Sequence, residues 1–161
     1  MERLWSPWRS EYIESFKSES EKSGCIFCDF PKETDDEKRM ILHRGKYSFV
    51  IMNLYPYNSG HLMIVPYHHT TSLSSLPAET SAEIILLLGK SQEAITKAMN
   101  AQGFNIGVNL GKAAGAGIDD HVHFHIVPRW NGDTNFMPVF SEIKVVPEEM
   151  KKTYLKLKPH F

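Results

Sequence analysis

Residues 121–127 read His-Val-His-Phe-His-Ile-Val, an unbroken alternation of polar and apolar side chains. A period of two belongs to a strand, and it fixes which side chains share a face. His121, His123 and His125 stand on one side, while Val122, Phe124 and Ile126 stand on the other. The chain must therefore build a sheet with an apolar layer behind this strand and a row of imidazoles in front. Burying such a row without partners costs too much for packing alone to explain it. Two chemical uses are open. The imidazoles could share a metal ion, or one could attack phosphorus while its neighbours steer it. The preceding segment favours the second. Residues 111–117 are Gly-Lys-Ala-Ala-Gly-Ala-Gly, and Gly115 and Gly117 are expected to turn backbone N–H groups toward an anion beside the row.

The rest of the chain supplies the sheet. Residues 40–44 and 47–52 are apolar runs flanking Gly45-Lys46, a hairpin pattern. Residues 61–66 form a third strand after a turn-rich loop over 53–60. The spacing of Ile84, Ile85, Leu88, Ile95 and Met99 predicts a helix over 80–100, with Pro77 at its start and Gly103 just past its end. Phe104, Ile106, Val108 and Leu110 then alternate as a half-buried strand. The order β-β-β-α-β-β with short connections implies an antiparallel α+β sheet. Residues 31–39 read as a charged loop. Residues 1–24 read as an arm and short amphipathic helix, with an apolar face of Leu4, Trp5, Trp8, Tyr12, Ile13 and Phe16. Residues 139–146 suggest a strand and 147–157 a short helix. With no linker and no repeat, the 161 residues form one domain: arm 1–24, catalytic core 25–130 and C-terminal extension 131–161.

A net charge of −1 gives no global basic field, so no nucleic-acid partner is expected. The opening residues are charged where a signal peptide needs an apolar run, and no apolar run is long enough to cross a bilayer. The expected compartment is the cytoplasm, with no membrane partner. Cys25 and Cys28 would close almost no loop if bridged, and a reducing compartment disfavours the bridge. They read as a metal half-site, a redox pair or two plain thiols. The redox reading is weakened because no thioredoxin-like βαβ pattern surrounds them.

The segment 121–127 matches the signature of the histidine triad family, and segments 109–115 (Asn-Leu-Gly-Lys-Ala-Ala-Gly) and 58–66 (Asn-Ser-Gly-His-Leu-Met-Ile-Val-Pro) resemble its other conserved stretches. The resemblance implies a five-stranded antiparallel sheet with one main helix, paired as a homodimer. It implies that His123 attacks an α-phosphorus to give a nucleotidyl-histidine, with His125 on the phosphate and His61 supporting the row. Asn53 would meet the ribose hydroxyls and Asn109 the phosphates. A structural zinc would take Cys25, Cys28, His121 and His69, with His68 as rival for the last place. Residues 128–136 and the opening Trp5-Ser-Pro-Trp8 resemble the branch containing microbial diadenosine tetraphosphate phosphorylases. Trp130 there either lines the pocket or is an ordinary core residue. The implied activity is cleavage of a dinucleoside polyphosphate such as diadenosine tetraphosphate at the α-phosphate, by phosphate or water. Hydrolysis of nucleoside phosphoramidates or aminoacyl-adenylates is an alternative, as is a nucleotide-sensing module without turnover. Ala116 and Gly117 depart from the family, where many relatives carry Ser, Thr or Gln. That leaves the acceptor, water or phosphate, open.

Overall fold

The apolar runs and alternating segments pair into one antiparallel sheet. Its strands are β1 (Ile41–Arg44), β2 (Ser48–Met52), β3 (Leu62–Pro66), β4 (Gly103–Val108) and β5 (Phe124–Arg129), in the order β1-β2-β3-β5-β4. The structure is a computed structural model that describes residues 24–133 and 148–161. The expected arm and helix over 1–24, apart from Gly24, and the expected strand over 139–146 lie outside the described residues. The helices are α1 (Ile26–Asp29), α2 (Asp36–Arg39), α3 (Ala78–Met99) and α4 (Met150–Leu157).

Strand order decides where the histidines fall. β5 inserts between β3 and β4, with Met63 opposite His125 and Leu62 opposite Ile126. Residues opposite one another share a face. Val50, Met52, Leu62, Ile64 and Ile126 therefore form one layer, covered by Ile84, Leu87, Leu88 and Ile95 of α3 and by Tyr154 and Leu157 of α4. Each such aliphatic side chain contributes roughly 1.5–3 kcal/mol on burial. Phe49, Ile51, Met63 and Val65 form the other layer, against Phe27 and Ile41. His125 lies on that second side, away from α3.

Several sequence expectations need correction. Residues 31–39 are not all loop: Phe30–Lys32 is a 3-10 turn, and α2 follows because the Asp35 carboxylate accepts from the Lys38 N–H at 3.0 Å. α3 ends earlier than expected because Asn100 takes the left-handed conformation (φ 52°) and caps it, a geometry asparagine tolerates. Gly103 then opens β4. Within the apolar stripe of α3, Ile85 is 66% exposed rather than buried. β4 stops at Val108, leaving Asn109 and Leu110 beyond it, and the C-terminal helix spans Met150–Leu157 rather than 147–157. β5 begins only at Phe124, since its ladder to β3 ends at the Ile64–Phe124 pair. His121 and His123 occupy the extended lead-in, where the Val122 N–H turns instead to the Thr70 carbonyl at 2.7 Å. Among the described residues, no helix is long and apolar enough to cross a membrane.

Candidate active site

The lead-in to β5 carries His121 and His123, β5 carries His125, and His61 directly precedes β3. All four imidazoles are at least nine-tenths buried. They do not form a simple row, because His121 turns away from the other two. The phenyl ring of Phe27 packs on both His121 and His123, its centroid 5.6 Å from that of His121 and 5.0 Å from that of His123.

The hydrogen bonds assign a tautomer to each ring. His123 Nδ1 lies 2.9 Å from the His121 carbonyl, which can only accept, so the proton sits on Nδ1 and Nε2 keeps its lone pair. The Tyr57 N–H donates to His61 Nδ1 at 3.0 Å, and Asn53 Nδ2 donates to the same nitrogen at 3.3 Å. The Asn53 amide is oriented by the Tyr55 N–H, given to its Oδ1 at 2.9 Å. His61 therefore carries its proton on Nε2 and passes it as a hydrogen bond to His125 Nδ1, 2.9 Å away. His125 is left with N–H at Nε2. Two rings whose centroids are 4.8 Å apart thus offer opposite chemistry, a lone pair on His123 and a donor on His125.

Electrostatics keep both neutral. Burial lowers His123 below the ordinary imidazole range. Burial, and then the neighbouring His123, lower His125 from 6.5 to about 4. A neutral imidazole can attack, and a neutral imidazole N–H can donate to phosphate oxygen without titrating first.

His123 and Asn53 face a cleft whose other walls are apolar, among them Ile26, Phe27, Phe30, Tyr55 and Ile118. Sequence reading missed those walls; the one available signal was the aromatic residue between the two cysteines. Trp130 lies elsewhere. Half-buried, it gives its indole N–H to the Met99 and Asn100 carbonyls at the end of α3, at 3.2 and 3.0 Å. Asn109 sits half-buried just past β4, where the glycine loop begins. In that loop Gly115 has φ 83°, so a left-handed turn requires it. Its N–H is not offered to an anion as expected but closes the turn onto the Lys112 carbonyl at 2.9 Å. Gly117, half-buried, remains as a candidate donor. A further polar hub went unread in the sequence. The Asp133 carboxylate accepts from Arg129 at 2.6 Å and from Asn58 Nδ2 at 3.0 Å, tying the 53–60 loop to the end of β5.

A second cluster lies behind His123. Cys25 Sγ is 3.2 Å from His121 Nδ1, Cys28 Sγ is 3.3 Å from His69 Nδ1, and the two Nδ1 atoms are 3.2 Å apart. All four ligand atoms fall within 4.8 Å of one another, whereas His68 is outside the group. His121 donates through Nε2 to the Pro66 carbonyl at 2.8 Å, which points the Nδ1 lone pair at the sulfurs. Two sulfurs and two imidazole nitrogens in so small a volume fit a tetrahedral zinc. Burial pushes the Cys25 thiol up to about 12, so without a cation it stays neutral.

The family model described as HIT domain matches residues 34–132. The chain is 36% identical over 158 residues to an "AP-4-A phosphorylase" of Mycobacterium tuberculosis, a match spanning 95% of this chain and 80% of that protein. It is 31% identical over 128 residues to an adenosine 5'-monophosphoramidase of Schizosaccharomyces pombe, spanning 80% and 91%. Among solved structures, a Zn-bound histidine triad family protein from Mycobacterium smegmatis superposes with a TM-score of 0.69 at 26% identity, covering 85% of this chain and 92% of that one.

Proposed function

We propose that this chain, which belongs to the histidine triad (HIT) domain family, cleaves diadenosine tetraphosphate through a nucleotidyl-histidine. The observation that carries the reading is the pair of tautomers. His123 Nδ1 is committed to the His121 carbonyl, and the free Nε2 stands beside a donor on His125. His123 Nε2 attacks the α-phosphorus, an N–P bond forms, and the P–O bond to the remaining polyphosphate breaks. His125 donates to the phosphoryl oxygen as charge gathers there. In the second step inorganic phosphate attacks phosphorus, the N–P bond breaks, and ADP leaves with the histidine restored. Asn53 is proposed to meet the ribose hydroxyls, and the apolar cleft walls to take a base. Asn109 and the N–H of Gly117 are proposed contacts to the distal phosphates.

The choice of phosphate over water follows the likeness to the phosphorylase, since Ala116 and Gly117 bring no side-chain donor of their own. Turnover of diadenosine tetraphosphate with and without inorganic phosphate tests it. ADP and ATP should appear, faster as phosphate rises. AMP and ATP regardless of phosphate would make water the acceptor. Preferred cleavage of adenosine phosphoramidate would favour the second reading, suggested by the likeness to the phosphoramidase. His123→Ala should lose turnover by several orders of magnitude while still binding AMP; near-normal turnover would refute the named nucleophile.

Cys25, Cys28, His69 and His121 are proposed to hold zinc, which would fix the turn carrying Phe27 against the nucleophile strand. Such a site belongs in a reducing compartment such as the cytoplasm. A homodimer fits the edge of β4, which has no further strand beside it among the described residues and where Ile106 is 51% exposed, together with exposed Ile85 and Leu86 on α3. Monomers at micromolar concentration in sedimentation would remove that part of the proposal.

A further inference from the structure

The segment Cys25-Ile-Phe-Cys28 places one aromatic side chain between two cysteines, and that ring joins the second core layer with Phe49, Ile51 and Met63. Phe27 is 1% exposed. It meets His121 nearly edge-on, at an interplanar angle of 82°, and His123 at 54°. It also forms a wall of the cleft that His123 faces. One ring thus touches a member of the metal cluster, the nucleophile and the binding space together.

Its backbone support is thin. α1 has four residues, too few to hold a helix without outside ties. Downstream, Arg44 grips the Pro31 and Glu33 carbonyls at 2.6 and 2.7 Å. At the start of the turn, the ties are the packing of Phe27 on Phe49, Ile51 and Met63 and the contact of Cys25 and Cys28 with His69 and His121, sulfur to nitrogen at 3.2–3.6 Å. Thiol–imidazole contacts of that kind are weak, whereas coordination to a shared cation would lock the turn and so the ring.

We infer that Phe27 is a positioning residue through which metal occupancy at Cys25, Cys28, His69 and His121 sets the nucleotide affinity of the cleft and the alignment of His123. The inference rests on the nucleotide reading above. With the cluster filled, Phe27 buttresses the His123 ring and completes the cleft wall. With it empty, the turn relaxes, the wall opens and the ring of His123 loses its stop.

The full chain is prepared loaded with zinc, stripped by chelator, and reloaded with zinc alone. AMP binding is followed by calorimetry and the fold by circular dichroism. Stripping should weaken AMP binding about tenfold, the scale of a lost aromatic contact, and reloading should restore it. In zinc-loaded Phe27→Ala, AMP should bind about as weakly as to stripped wild type, and stripping should change it by less than about twofold. Equal AMP affinity in stripped and loaded wild type, or a full zinc effect persisting in Phe27→Ala, overturns the inference. If the stripped chain or Phe27→Ala unfolds, zinc-loaded Phe27→Leu decides. Normal zinc content with kcat lowered about tenfold supports the positioning role, and unchanged kcat and AMP affinity refute it. Failure of loaded wild type to bind AMP at all would instead strike the nucleotide reading.

Discussion

Replacing His61 with leucine tests the hydrogen-bond relay behind the proposed chemistry. The substitution keeps an apolar side chain of similar reach but removes the acceptor for the Tyr57 N–H and the donor to His125 Nδ1. Each buried group left without a partner costs about 1–3 kcal/mol. The loss at Tyr57 falls on stability. The loss at His125 falls on turnover, because nothing then holds its proton on Nε2 where the phosphate needs it. About 1–3 kcal/mol of lost transition-state stabilisation corresponds to a fall of roughly 5- to 150-fold in kcat. That is well short of what removing the His123 nucleophile would do. His61→Gln retains one acceptor and one donor and should recover part of the loss. A double-mutant cycle supplies the decisive assay: steady-state cleavage of diadenosine tetraphosphate by His61→Leu, His125→Ala and the double variant. If His61 acts through His125, the double variant should be no slower than His125→Ala. Additive losses, or a His61→Leu kcat within about twofold of wild type, would refute the relay.

Three further outcomes are expected. His125 falls from 6.5 to about 4 on folding, so the unfolded chain takes its proton first as pH drops. Its contribution to stability is whole above pH 6.5, is lost progressively between 6.5 and about 4, and amounts to about 3 kcal/mol. Urea unfolding of wild type and His125→Gln at each end of that window should show the smaller pH dependence in the variant, any effect of zinc loss being common to both. Glu83 accepts the Lys46 and Tyr47 N–H groups at 2.8 and 2.7 Å, fixing the β1–β2 turn to α3. Glu83→Gln sets a donor against a donor and should cost about 1–3 kcal/mol in the same assay. Metal analysis should find about one zinc per chain, lost in Cys25→Ser together with thermal stability; full zinc content in that variant would exclude Cys25 as a ligand.

Much of the fold was legible because its signals are local. The alternation over 121–127 marks the strand that begins at Phe124, and the stripe through Ile84, Leu88 and Ile95 marks a helix. Errors gathered where a neighbour decides. Asn100, not Gly103, closes α3, because asparagine could adopt the left-handed turn first. Gly115 looked like an anion donor, since conformational freedom can be read from a glycine but the use of its N–H cannot. Nor does the sequence around Trp130 show that the end of α3 accepts the hydrogen bond of its indole.

The sequence by itself placed three histidines at alternating positions of one segment, of which the strand takes in only His125, and set two cysteines close enough to share a ligand. Only the tertiary structure divided the histidines between two environments. His121 is drawn to Cys25 and to the Pro66 carbonyl, His123 is held by the carbonyl of His121, and His125 is set by His61 from just before the adjoining strand. An imidazole becomes a nucleophile, a donor or a ligand according to which nitrogen holds the proton, and its hydrogen-bond partners decide that. Here most of those partners are 55 to 96 residues away along the chain, so no local pattern could disclose them before the strands had paired.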